Sequence, residues 1–364
     1  MGTLSATTRT AAGALLALAA LLVVALDGSA ATDKRVPRKA TAGEVEALAM
    51  DGARVAYDVA AGTGRRCNTV YVWNVRRGTT ARVSGRETCG ADNSSTGADV
   101  RELALAGGRA AWIVNQGGNN ESGDYLYTAT VGSPRERLLA SAFRTGDVSG
   151  VLTGNWLGGL VGSGRFLAVD HWATDSHGAV TSARLQRIGT RLGDLTQGAG
   201  AMFARSTDGR VVAVLRADGT IGLYSTRGAL LRTITPKQTA TEIAVRGDYL
   251  AALTTAGRLA VFNSHSGRLL HTWRVARGAR SLDVSSGLAT YGAPFPRGDY
   301  ARVVHVLRLS SGRDRVVTTT PPELTAVQLE PAGLAYTFSR IAPGRPGAVV
   351  FLPMSRVVRA ARGY

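Results

Sequence analysis

The densest group of side chains able to hold a metal or move a proton is Asp170-His171-Trp172 with Asp175 and His177. Imidazole with carboxylate suits zinc, and carboxylates alone suit calcium. Alternation along an extended segment sends Asp170 and Trp172 to one face and His171 to the other, so the group converges only if the following loop folds back. The spacing therefore predicts a strand end with solvated polar residues rather than a metal centre. No second carboxylate pairs with Asp170 or His171 for general acid and base work. The sequence contains no G-x-S-x-G, H-E-x-x-H, G-x-x-x-x-G-K or C-x-x-C pattern, which removes the motif-bearing hydrolases, zinc peptidases and nucleotide-binding loops. Arg297-Gly298-Asp299 and Arg246-Gly247-Asp248 are tripeptides expected by chance in an Arg- and Gly-rich chain. The two cysteines, Cys67 and Cys89, flank a hairpin turn at Gly78, which lies midway between them. An uninterrupted antiparallel ladder places them opposite each other, and they are expected to form a disulfide.

The elements that position these residues begin with a leader. Residues 1–31 carry Arg9, an apolar run from Ala11 to Leu26, Gly28, and then Ser29, Ala30 and Ala31. That is the plan of a cleaved secretory signal. The apolar run is shorter than the ~20 residues that span a bilayer, so no membrane span is expected after cleavage. Residues 32–43 are polar and basic, contain Pro37, and read as a linker.

From Glu44 to Tyr364 one unit recurs, best preserved in Thr241–Trp273. Four short apolar runs, Ile243–Val245, Tyr249–Leu253, Leu259–Phe262 and Leu269–Trp273, are separated by turns at Gly247, Gly257 and Gly267. Such runs read as an antiparallel meander. The distance from the first apolar residue to an alanine of the second strand repeats: Leu48 to Ala56, Leu103 to Ala111, Ile243 to Ala251 and Val327 to Ala335. Counting the copies gives seven, the last closing with Val349–Leu352 and Val357-Val358. Second strands such as Val211–Leu215 are apolar without alternation, so each sheet is covered on both faces. Stacking around an axis satisfies that demand. The expected fold is all-β: a seven-bladed β-propeller of four-stranded antiparallel blades over residues 44–364, preceded by a signal helix.

The unit resembles the blades of WD40-like and quinoprotein-like (PQQ-type) propellers, most clearly at Val261–Trp273 and again at Leu307–Arg313. No unit has the Trp-Asp dipeptide, Val72-Trp73-Asn74 being nearest, and no residue set suited to a quinone is present. The resemblance implies fold, not activity. No cofactor is expected.

In such a blade the turns between strands one and two, and three and four, share one face. The opposite face carries the longer segments Ala60–Arg66, Arg86–Asp99, Asn115–Asp124, Ala142–Gly158, Thr174–Ser182, Gly292–Ala301 and Ser339–Gly347. Long loops on one rim of a rigid scaffold are where binding sites sit. The formal charge is +17, almost all of it Arg. Ring closure makes units six and seven neighbours of unit one, gathering Arg65, Arg66, Arg297, Arg302, Arg340 and Arg345 into one basic sector. Guanidinium groups on separate loops suit phosphate or carboxylate groups of an anionic polymer. The expected function is a secreted or envelope-associated, monomeric, non-catalytic scaffold for a protein or anionic polymer, with no nucleic acid partner. The alternative is a glycan lyase or hydrolase acting through the long loops.

Overall fold

Aliphatic runs of five to seven residues, broken where the backbone must turn left-handed, fold back on themselves. Gly247 (φ 55°) and Gly267 (φ 72°) show why the breaks are glycine, since residues with a Cβ rarely adopt that region. A computed structural model describes residues 36–60, 67–85, 88–89, 98–117, 120–133, 135–146, 150–198, 202–294, 301–320, 323–339 and 346–363. The expected signal segment lies outside these residues.

The chain from Arg38 onward forms seven antiparallel blades. Blade 1 comprises Leu48–Asp51, Arg54–Ala60, Cys67–Asn74 and Thr79–Arg82, with Thr88–Cys89 added beside its third strand. Blade 2 comprises Ala98–Ala106, Arg109–Gly117, Glu121–Thr130 and Arg137–Gly146, and blade 3 Leu152–Ser163, Phe166–Thr174, Val180–Ile188 and Leu192–Gly198. Blade 4 comprises Met202–Thr207, Val211–Arg216, Ile221–Ser225 and Leu230–Ile234, and blade 5 Ala240–Arg246, Tyr249–Thr254, Arg258–Asn263 and Leu269–Arg274. Blade 6 comprises Arg280–Ser285, Leu288–Pro294, Ala301–Arg308 and Asp314–Thr319. The inner strands touch in sequence around the ring, and that of blade 7 returns to that of blade 1. Apolar clusters fill the space between successive blades, such as Ala244, Val261 and Tyr291 between blades 5 and 6.

Blade 7 departs from the expected closure. Its strands Glu323–Glu330, Gly333–Ser339 and Ala348–Pro353 are completed by Arg38–Ala40, drawn from the stretch read as a linker. Arg38 lies opposite Val350, Lys39 opposite Val349 and Ala40 opposite Ala348. Thr41 extends the seam: its N–H donates to the Gly347 carbonyl at 3.1 Å, and its Oγ1 accepts the Gly347 N–H at 3.1 Å. Val357 and Val358, expected in a fourth strand, lie instead in a helix, Met354–Arg362. Val357 and Ala361 are its buried residues, one turn apart on a single face, and the helix packs on blades 6 and 7. Among the described residues, no helix is long and apolar enough to cross a membrane.

Two expected long loops, Asn115–Asp124 and Ala142–Gly158, fall largely within lengthened strands of blades 2 and 3, whereas Thr174–Ser182 keeps its turn at 175–179 between strand ends. The strands of blade 2 run nine to ten residues, against five to six in blade 4. The fourth strand of blade 2 also pairs with the first of blade 3 over Arg144–Gly146, merging the two blades into an eight-stranded sheet.

Removing residues 1–41 deletes the closing strand and the Thr41 bonds. The expected loss is about 3 kcal/mol, lowering the melting temperature by roughly 3–6 °C for a domain of this size. An unchanged transition would show that contacts between blades 7 and 1 close the ring without this strand.

Candidate functional site

The inner strands surround a central cavity of about 430 Å³ lined by residues of all seven blades. Apart from that of blade 3, which pairs at its start with blade 2, each inner strand is the edge of its sheet, and free N–H groups on the channel side need acceptors. Side chains of the preceding blade supply them. Glu102 accepts the Leu160 N–H at 2.7 Å, Ser206 that of Val245 at 3.0 Å, and Glu242 that of Leu282 at 2.7 Å. Asp283 accepts from Leu329 at 2.7 Å, and Gln328 from Met50 at 2.6 Å, closing the circle from blade 7 to blade 1. At the tight-turn end, Asp51 accepts from both Gly107 (2.7 Å) and Gly164 (2.9 Å), joining three blades through one carboxylate.

These acids sit in a poorly solvated channel. Burial raises Asp283 to about 6 against the pull of Arg246. Burial raises Glu330 to about 7, despite its ion pair with Arg246 and with repulsion from Asp283 and Asp51 adding to the rise. Burial likewise raises Glu102. Arg246, expected only in a hairpin tripeptide, reaches from blade 5 past blade 6 to Glu330 of blade 7.

On the face opposite the tight turns, the lengthened hairpins of blades 2 and 3 build an aromatic and cationic rim. Trp156 and Trp172 are register partners on neighbouring strands, and their rings stack with centroids 5.9 Å apart and planes 4° from parallel. Phe203 of blade 4 meets Trp172 edge-on at 5.2 Å. On the other side the Arg144 guanidinium lies 3.9 Å from the Trp156 ring centroid. Arg144 is anchored at 2.7 Å to fully buried Asp124, which also accepts the Leu157 N–H at 3.2 Å. The rim ends in Tyr125 and Phe143, whose rings meet edge to face at 5.7 Å, with Phe143 56% exposed. Of this group only Trp172 was singled out in the sequence, beside Asp170 and His171, while Phe143 and Trp156 fall in a segment taken for a loop.

Of the six arginines expected to form a basic sector, only Arg302 is described. It is half-buried at the start of the third strand of blade 6, and its carbonyl accepts from the Thr320 N–H at 2.7 Å. Arg65, Arg66, Arg297, Arg340 and Arg345 lie outside the described residues. Cys67 and Cys89 are register partners in blade 1. They come together by an interrupted ladder: Tyr71 faces Arg82 while Asn68 faces Thr88, and Val83 and Ser84 both donate to the Val70 carbonyl where the ladder breaks. Asp170 is buried within blade 3, and its strand partners are Gly158 and Leu185, whereas those of His171 are Leu157 and Arg184. Asp175 holds its own turn, accepting from His177 (2.8 Å) and Ala179 (3.0 Å).

No family model matches the chain, and no curated protein matches it. Among solved structures, it is similar to the WD40 β-propeller domain of Doa1, with 14% identity, 88% of this chain and 97% of that one covered, and a TM-score of 0.50. Sqt1 of Saccharomyces cerevisiae aligns at 10% identity and a TM-score of 0.49, covering 86% of this chain and 97% of that one. The computationally designed Ika8 protein aligns at 16% and 0.46, covering 86% and 98%. At such identities the likeness concerns fold alone: the chain has a WD40-like β-propeller fold.

The raised carboxyls carry a pH signature. Acids whose folded pKa lies above the unfolded value near 4 bind more protons when folded. The stability these two groups contribute is therefore greatest below about pH 4 and is lost as pH rises from about 4 to 7, up through the Asp283 and Glu330 values of about 6 and 7. Chemical denaturation across that range should show the decline, and Asp283→Asn with Glu330→Gln should make it shallower. An equal slope in the double variant would remove these two groups as its source.

Proposed function

We propose that this protein is a non-catalytic binding scaffold acting outside the cytoplasmic membrane, secreted or held at the cell envelope, for a protein or an anionic envelope polymer. The reading is supported by one observation above all. The ring is asymmetric: blades 2 and 3 rise on one side of the channel mouth and carry the stacked Trp156 and Trp172 with exposed Phe143. Meanwhile the channel acids Glu102 and Asp283 are engaged with the backbone of the next blade. Groups that hold a ring together are poorly placed to turn over a substrate, whereas partly exposed aromatic rings and cations on rigid hairpins favour recognition.

The net charge of +17 gives such a surface long-range attraction for polyanions. Binding of this kind weakens steeply with salt. Retention on anionic cell-wall polymer should fall when Arg65, Arg66, Arg297, Arg302, Arg340 and Arg345 are changed to Gln, and less when six arginines of blades 4 and 5 are changed. Equal losses would reduce the effect to net charge and remove the sector as a site.

Secretion has a chemical corollary. Facing each other in the blade 1 ladder, Cys67 and Cys89 would be oxidised outside the cytoplasm, and the bridge would stabilise by ~3 kcal/mol on the loop-closure relation. Thiol titration of the denatured, unreduced protein from its native host should find no free thiol. Two free thiols would count against both the bridge and the compartment.

A further inference from the structure

A second surface, independent of the rim and the channel, lies on the circumference between blades 4 and 5. Here a groove of about 650 Å³ runs between the outer strand of blade 4 and the flank of blade 5. Its apolar lining comes from Ile234, Ala260, Phe262 and Leu269. Its charged lining is Arg232, Lys237 and Arg258, all exposed, and none of the described residues lining it is acidic.

Three further observations bear on what fits it. The residues alternate: Arg258, Ala260 and Phe262 on one strand, and Arg232 and Ile234 on the other, are each two apart. Groups repeating at that interval match the same-face spacing of an extended chain, about 7 Å. The blade 4 strand ends its sheet, with no strand paired beyond it among the described residues, so its outward N–H and C=O groups are open to main-chain bonding. Leu269, 40% exposed, is one of the six large apolar side chains exposed among the described residues, and it lines the groove.

We infer that the groove between blades 4 and 5 binds an extended acidic peptide segment of a partner protein, with carboxylate and apolar side chains two residues apart on the face turned to the groove. On that face the carboxylates meet Arg232, Lys237 and Arg258, and the apolar residues reach Ile234, Phe262 and Leu269. A polyanion without apolar groups satisfies the cations and leaves the apolar lining wet, which favours a peptide over a polymer. Five to six extended residues, about 17–20 Å, span a strand of this length.

The test uses the fluorescently labelled full chain on an array of immobilised seven-residue peptides. One set carries Asp or Glu and Leu, Ile, Val or Phe in turn at positions 1, 3, 5 and 7, with Thr between; a second replaces the acids by Lys; a third replaces the apolar residues by Ser. The acidic–apolar set should retain the protein at least tenfold above both others. Retention should be lost in Arg232→Glu/Lys237→Glu/Arg258→Glu and, separately, in Leu269→Asp, with melting transitions and far-ultraviolet spectra serving as folding controls. The inference is overturned if no acidic–apolar peptide is retained, if the Ser set binds equally, which would mark a simple polyanion surface, or if the folded variants bind like the parent. The cell-wall polymer assay on the six arginines reports separately on the proposed function, so either can fail alone.

Discussion

The structure depends on how the backbone N–H groups of the inner strands are satisfied. A propeller leaves one edge of every sheet facing a narrow channel, where a donor without a partner costs about 1–3 kcal/mol. Here the acceptor is repeatedly a side chain of the preceding blade: Glu102, Ser206, Glu242, Asp283 and Gln328 each take an N–H of the next inner strand. The bonds fix the angular step between blades as well as the donor count, because each acceptor must reach across one interface. Between blades 3 and 4 the described residues show an aromatic contact instead, Trp172 against Phe203. The same aromatic rim that suits recognition therefore also braces a seam.

A circle held by neighbour-to-neighbour bonds is only as strong as its closure, and closure joins residues far apart in the chain. The strand Arg38–Ala40 lies beside Ala348–Val350, Ser339 Oγ accepts the Val45 N–H at 3.0 Å, and Gln328 accepts from Met50. These are long-range contacts whose loop entropy is repaid only when the last blade has formed. The C-terminal helix adds a brace, packing on blades 6 and 7, while Arg313 of the neighbouring blade 6 turn donates to the Arg362 carbonyl at 3.1 Å.

The blades were legible in the sequence because strand length, Gly turns and the run from first apolar residue to alanine are local quantities. Ile243 and Ala251, for example, sit in paired strands whose turn is set by Gly247. Closure was not legible: Arg-Lys-Ala carries no apolar pattern, and its partner lies some three hundred residues away. Val357 and Val358 looked like a strand because two adjacent apolar residues fit either period, and only burial of Ala361 one turn later distinguishes the helix. The polar segments of blades 2 and 3 looked like loops because strands rising clear of the core lose the apolar alternation that reveals a strand. The stacked rim needed cross-strand register, which pairs Trp156 with Trp172 and cannot be read from either strand alone.

The charge of the molecule follows from the same constraint. Capping inner-edge N–H groups calls for acceptors, and carboxylates are the strongest available. Acidic residues are thereby drawn inward: Asp58, Asp124, Asp170 and Glu330 are buried, and Asp51, Glu102 and Asp283 are committed to neighbouring backbone. Guanidinium groups find few such tasks and stay mostly outside, Arg101, Arg144 and Arg246 being described residues that do pair with interior acids. A formal charge of +17 therefore understates the positive field at the surface, since part of the compensating negative charge lies in the ring. Burial also holds Asp283 and Glu330 near neutrality in mild acid, with values of about 6 and 7. As pH falls through that range the interior loses negative charge while the exterior arginines keep theirs, so the attraction for an acidic partner strengthens even as the ring becomes more stable.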